Sequence, residues 1–273
     1  MEQKVQPGHV IDGHVADIAK GGMCAWRLPA DAGCASIGRS LVQIALTTMG
    51  LGRDIVDDAS LVASELATNA LHHGLRAVPS APIVPPELWV WARTRPVRQL
   101  VVSVFDSCRS SWPDTTPHGL LDEHGRGIGI VGAVADGWGA HLSRSRLCTG
   151  GVPGKAVWAV FALPGPWPDA RTTAPPMLAA RHLASTLISC GIEDVTYRHG
   201  RSVSLLSIRL RKEETREKVR DEVNVWVEPG HLSFTDSSGS RVRRPIVDLH
   251  DVAESLVRRY EETRGRGIAA RPG

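Results

Sequence analysis

The run Pro164-Gly165-Pro166-Trp167-Pro168 constrains this chain more than any other feature. Proline offers no N–H to a ladder or a helix interior, so neither element continues through it. Residues 166–175 therefore read as a linker, and the chain on each side must bury its own core. This predicts a first domain at 20–165 and a smaller one at 176–262, with a flexible N-terminus at 1–19 and a flexible tail at 263–273. The 273 residues, 42% apolar and 22% charged, have the composition of an ordinary folded protein rather than a disordered one.

Lysine and arginine number 32 against 29 acids, a net +3 with the two signs interleaved. Only Arg241-Val242-Arg243-Arg244 clusters, and no helix-turn-helix spacing or aromatic platform accompanies it, so direct nucleic-acid binding is not expected. The five cysteines show no C-x-x-C spacing, which predicts free thiols rather than a zinc site or a disulfide framework. Apolar runs such as Ile128 to Ala135 fall far short of the roughly 20 residues that span a bilayer. Met1-Glu2-Gln3-Lys4 shows no secretory pattern, so a cytoplasmic location without membrane contact is the expectation.

In the first domain, Cys34, Ile37, Leu41, Ile44, Ala45 and Met49 recur at helical steps, and a second helix is expected from Asp54 to His73. Strands follow at Glu87 to Thr94 and Arg98 to Phe105, then a polar stretch, a helical segment at Ile128 to Asp136, and strands at Gly139 to Leu147 and Ala156 to Leu163. Helices grouped on one face of a largely antiparallel sheet make an α+β fold, a two-layer α/β sandwich. The second domain reads as a smaller α+β unit, from a helix at Met177 to Ser189 to a final amphipathic helix at Leu249 to Thr263.

Four features carry chemistry. Glu65, Asn69 and His73 are four residues apart, and at about 40 degrees of drift per step they share a helix face. Asp106 closes a strand. Gly125-Arg126-Gly127-Ile128-Gly129 is a glycine-alternating entry to a helix, suited to close approach of a phosphate. Gly150-Gly151-Val152-Pro153-Gly154-Lys155 is a turn and a lysine before a strand. A dinucleotide fingerprint at Gly127 fails for want of a preceding strand and a later acid, and a P-loop ending at Lys155 fails because Thr149 and Ala156 stand at its fixed positions. His118, His124, His141 and His250 stand alone and read as surface residues.

Together these pieces resemble the GHKL (Bergerat-fold) ATPases, in the branch of anti-sigma-factor serine kinases. Glu65-Leu66-Ala67-Thr68-Asn69-Ala70-Leu71-His72-His73-Gly74 looks like the N box, Val104-Phe105-Asp106 like the aspartate box, Gly125 to Val131 like the glycine box and Gly154 to Ala159 like the closing segment. The resemblance covers 22–163 and implies a histidine-kinase-like ATPase domain that uses ATP and Mg²⁺. It implies Asn69 as the metal ligand, Glu65 as the catalytic general base, and Asp106 as acceptor for the adenine amino group. ATP contacts from His73, Gly125, Arg126, Gly127, Gly129 and Lys155 are implied with them. Cys108 stands where the family has a glycine after its aspartate, and Ala156 where it often has a phosphate-facing threonine. The implied function is a regulator of transcription that phosphorylates a serine or threonine on a partner, an anti-sigma-factor antagonist, or holds a sigma factor; a homodimer is a possible assembly. The alternative is a non-catalytic module that senses nucleotide or binds proteins without it.

Overall fold

The computed structural model describes residues 3–4, 18, 22–74, 84–113, 126–165, 174–210, 222–236 and 238–269. These form a mixed α+β structure with two antiparallel sheets. The first sheet has the order β2 (Met23–Arg27), β3 (Glu87–Arg93), β4 (Gln99–Asp106), β6 (Pro153–Ala162), β5 (Gly137–Arg144). Its helices are α1 (Cys34–Thr48), α2 (Arg53–Asn69) and α3 (Arg126–Val134).

Alternation along each strand sends one set of side chains to the helices and the other to the back of the sheet. Leu88, Val90, Leu100, Val102, Ala159 and Phe161 meet Val62, Ala63 and Leu66 of α2 in one core. Trp89, Trp91, Val101, Phe105, Ala156 and Val160 form a second cluster on the back. The buried stripe of α1 is Cys34, Gly38, Val42, Ala45 and Leu46. Ile37 and Ile44, expected on that stripe, are 44% and 65% exposed. Gly38, Val42 and Leu46 join the expected Cys34 and Ala45 on it, Leu41 and Met49 pack beside them, and Gly38 lies against Ala67 of α2. Strand β2, whose five residues show no clean alternation, was not expected from the sequence.

The second sheet has the order β1 (Gln3–Lys4), β7 (Val195–His199), β8 (Ser204–Arg209), β9 (Glu222–Glu228), β10 (His231–Thr235), β11 (Arg241–Pro245). Helices α4 (Pro176–Ser189) and α5 (Leu249–Ala269) cover one face around a third apolar core that includes Leu183, Leu187, Val225, Leu256 and Val257. Two placements differ from a loose N-terminus and a tail beginning at 263. Gln3–Lys4 pairs with Tyr197 and Thr196, while Ile18 is fully buried in the first core. Helix α5 runs on to Ala269. No described helix is long and apolar enough to cross a membrane.

Helix α5 has two buried sides. Its apolar stripe, Val252, Leu256, Val257 and Tyr260, enters its own core. Its polar stripe, His250, Glu254 and Glu261, is buried against the first sheet. There Glu254 takes Arg146, His141 Nε2 at 2.7 Å and Ser143 Oγ at 2.6 Å. Thr94 donates its N–H (2.6 Å) and its hydroxyl (3.0 Å) to Asp248, which precedes α5. His141 and His250 are therefore not surface residues as the sequence suggested; their partners lie more than a hundred positions away. His118 and His124 lie outside the described residues.

Candidate functional site

The helical side of the first sheet ends in a polar site. Helix α2 turns Val62, Ala63 and Leu66 into the core, which leaves Glu65 and Asn69, four residues apart, half-buried at its edge. The α-helix stops at Asn69 and gives way to a π-helical turn, Ala70–Gly74. Such turns are wider than an α turn and gather at functional positions. The shared-face argument therefore holds for Glu65 and Asn69 but not for His73, which sits exposed on the wider turn.

Helix α3 packs on α2 and begins two residues earlier than the sequence suggested, so Gly127 and Gly129 belong to its first turn. A Cβ on Gly127 would lie 3.0 Å from Glu65 Oε2 and 3.5 Å from both Oδ1 and Nδ2 of Asn69. Glycine keeps this approach close: a methyl here would crowd the Glu65 carboxylate and touch the Asn69 amide. Asn69 Nδ2 is buried and finds no hydrogen-bond partner among the described residues. A buried amide left unpaired costs about 1–3 kcal/mol, so the cradle is built for a polar group. Gly129 has open space around it. Gly125 lies outside the described residues, as does the side chain of Arg126.

Asp106 continues the row Leu100, Val102, Val104 toward the helix side, and register pairs it with Lys155. Lys155 Nζ donates to Asp106 Oδ1 at 2.6 Å and to the Cys108 carbonyl at 2.8 Å, and both side chains are almost fully buried. The Cys108 N–H also donates to Asp106 Oδ1, at 2.9 Å. Burial pushes the Asp106 carboxyl above its ordinary value, against the lowering effect of Lys155 and these hydrogen bonds. A Cβ on Gly154 would lie 2.1 Å from the Asp106 carbonyl oxygen, so only glycine lets β6 carry Lys155 this close. Ala156 faces the back cluster with Phe105, so a threonine there would point away from the site.

The arrangement therefore offers a carboxylate and an amide at a helix start, and beyond them a carboxylate already paired with a lysine. Residues 28–149 match the histidine kinase-like ATPase domain. The match, to an ATP-binding domain family, spans Glu65, Asn69, Asp106 and the glycine entry to α3 and ends before Lys155. No curated protein matches the chain. The sequence did not signal the Lys155 ion pair with Asp106, nor the Arg109 contact to α5 described below. The alternating Arg144 and Arg146 and the Glu254 to Glu261 spacing of two helical turns were the available signs.

The donor set suits a hard cation, which takes oxygen ligands. No group of three or more His, Cys, Asp or Glu among the described residues could hold a metal alone. Asn69 together with phosphate oxygens is the set that fits.

Proposed function

We propose that this chain is an ATP- and Mg²⁺-dependent regulatory protein that transfers the γ-phosphate of ATP to a serine or threonine of a partner. The partner is a protein of the anti-sigma-factor antagonist type, and binding of a sigma factor is the output that this transfer switches. The observation that carries the reading is the close approach of Gly127 to Glu65 and Asn69, where the buried Nδ2 of Asn69 has no hydrogen-bond partner among the described residues.

Asn69 Oδ1 would hold Mg²⁺, whose charge would offset that of the phosphate oxygens. N–H groups in the first turn of α3 would donate to the same phosphates. Glu65, which has no hydrogen bond or ion pair to a described residue, would accept the proton of the attacking hydroxyl as its oxygen bonds to the γ-phosphorus and ADP leaves. Asp106 would receive the adenine amino group beside Lys155. Protein surfaces in the cytoplasm, rather than membrane or nucleic acid, are the proposed partners, with self-association as a further one.

The ion pair between Lys155 and Asp106 favours a second reading, a nucleotide sensor without transfer, because it already satisfies part of the base-recognising carboxylate. Calorimetric titration with ATP and Mg²⁺ tests both. Saturable binding is expected, weakened at least about tenfold in Asn69→Ala, or about 1.4 kcal/mol. Absence of binding up to millimolar ATP would overturn both nucleotide readings. Binding with no phosphate passed to any antagonist-type protein would select the sensor.

A further inference from the structure

The C-terminal helix reaches the turn that carries Asp106. Arg109, three residues beyond Asp106, places Nη1 at 2.7 Å from Glu261 Oε2 on α5. The other oxygen of Glu261, Oε1, takes Nη1 of Arg144 at 2.7 Å. Glu261 is only 1% exposed, whereas the side chain of Arg109 is 39% exposed. Arg144 is anchored separately, its Nε donating to the Cys190 carbonyl at 2.5 Å. One guanidinium would balance the charge of Glu261; the second, half in solvent, ties a turn to it.

That turn is held at three points: the Cys108 N–H on Asp106, Lys155 on the Cys108 carbonyl, and Arg109 on Glu261. The first two lie within the ATPase-like part, and the third comes from a helix about 150 positions later. We propose that Glu261 is a positioning residue for the nucleotide site, holding the Asp106 turn through Arg109 so that docking of α5 sets the affinity for the nucleobase. This rests on the reading of Asp106 as the base contact. Because coupling is reciprocal, nucleotide at Asp106 in turn tightens the hold on α5.

The full chain carries the test, with Arg109→Ala, Arg109→Lys and Glu261→Gln. Arg109→Ala leaves the buried Arg144 pair intact, so it remains informative if Glu261→Gln folds poorly. Two readouts are taken: amide exchange at Cys108 against that of Val101 to Phe105 in β4, and ATP affinity with Mg²⁺. In Arg109→Ala, Cys108 exchange is expected to rise about tenfold with β4 unchanged and ATP affinity to fall about five- to tenfold, with Arg109→Lys recovering most of both. Unchanged Cys108 exchange would overturn the proposal, as would a rise shared by β4, which marks general loosening. Faster Cys108 exchange with wild-type ATP affinity would also overturn it. A wild-type chain that binds no ATP would show instead that the base-contact reading had failed, whatever Cys108 does.

Discussion

The two faces of the first sheet are held by opposite means. Toward α1, α2 and α3, aliphatic side chains fill most of the layer, with a small polar contact from Arg39 to Ser64 between the helices, and polar groups gather at its end around Glu65, Asn69 and Asp106. On the back, Trp89, Trp91 and Phe105 make a small apolar floor, and charges do the rest: Arg146 stacks over Trp89 at 4.4 Å and pairs with Glu254. Glu87, fully buried there, accepts from Trp89 Nε1 at 3.0 Å, Arg146 N at 2.9 Å and the Ser145 hydroxyl. Apolar burial is not directional, so the helix side can tolerate small slips. A buried charge without its partner is costly, so the back accepts α5 in one register. Function can then sit on the tolerant side while the demanding side fixes what docks behind it.

The largest expected effect tests that contrast directly. Arg146→Met would leave Glu254 buried with only His141 and Ser143, at a cost of about 3–5 kcal/mol in urea unfolding. The double variant Arg146→Met/Glu254→Leu should regain part of this, since neither member of the ion pair is then buried alone, although Ser143 and His141 lose the acceptor that Glu254 gave them. A double variant as unstable as the single would show that the back face is held by shape rather than by charge.

The same contrast explains what could be read from the sequence. Strands β3, β4 and β6 and helix α2 follow local periods, so their places emerged within a few residues, and Glu65 with Asn69 followed from helical spacing. On α1, helical spacing gave the right element and four of its six expected core positions, Cys34, Leu41, Ala45 and Met49, but Ile37 and Ile44 are exposed while Gly38, Val42 and Leu46 are buried. His250 read as a surface residue, and the polar side of α5 with Glu254 and Glu261 went unread, because the partners His141 and Arg144 on β5 and Arg146 just past its end lie far away in sequence. Period shows that a face is polar, not that it is buried. Lys155 was placed near the site by motif, but its grip on Asp106 needed the β4 to β6 register.

A second, smaller effect should appear with pH. Burial foremost, then the nearby His182 and Arg146, hold the His250 imidazole well below its ordinary value of 6.5, with Glu254 opposing. The unfolded chain therefore binds a proton below about pH 6.5 that the native state refuses, and stability falls with pH by up to about 1.4 kcal/mol per unit. Burial works to raise Glu254 as well, yet Arg146, His141 and Ser143 outweigh it and hold the carboxyl far below its ordinary 4.5. Its stabilising contribution is complete above about pH 4.5 and is lost below that. Asp106, on the helix side, is raised by burial and acts in the opposite sense, its native form taking up a proton first. Urea midpoints from pH 7.5 to 5 should decline in the wild type and flatten in His250→Gln. An unflattened slope would move the acid sensitivity away from the docked face.

Gly127→Ala should change stability least and chemistry most selectively. Alanine is favoured over glycine in a helix by about 1 kcal/mol, and the nearest atom to the new Cβ is Glu65 Oε2 at 3.0 Å, the free end of a flexible side chain. The fold can absorb the methyl by swinging that carboxylate aside, so the unfolding midpoint should hold or rise slightly. Glu65 would then no longer stand where an attacking hydroxyl meets it, and phosphate transfer should fall about tenfold, more than ATP affinity does. If affinity falls and transfer per bound ATP does not, Gly127 serves the phosphates alone and Glu65 is not the base. If stability falls by more than about 2 kcal/mol, the helix side is as exacting as the back, and the contrast between the two faces fails.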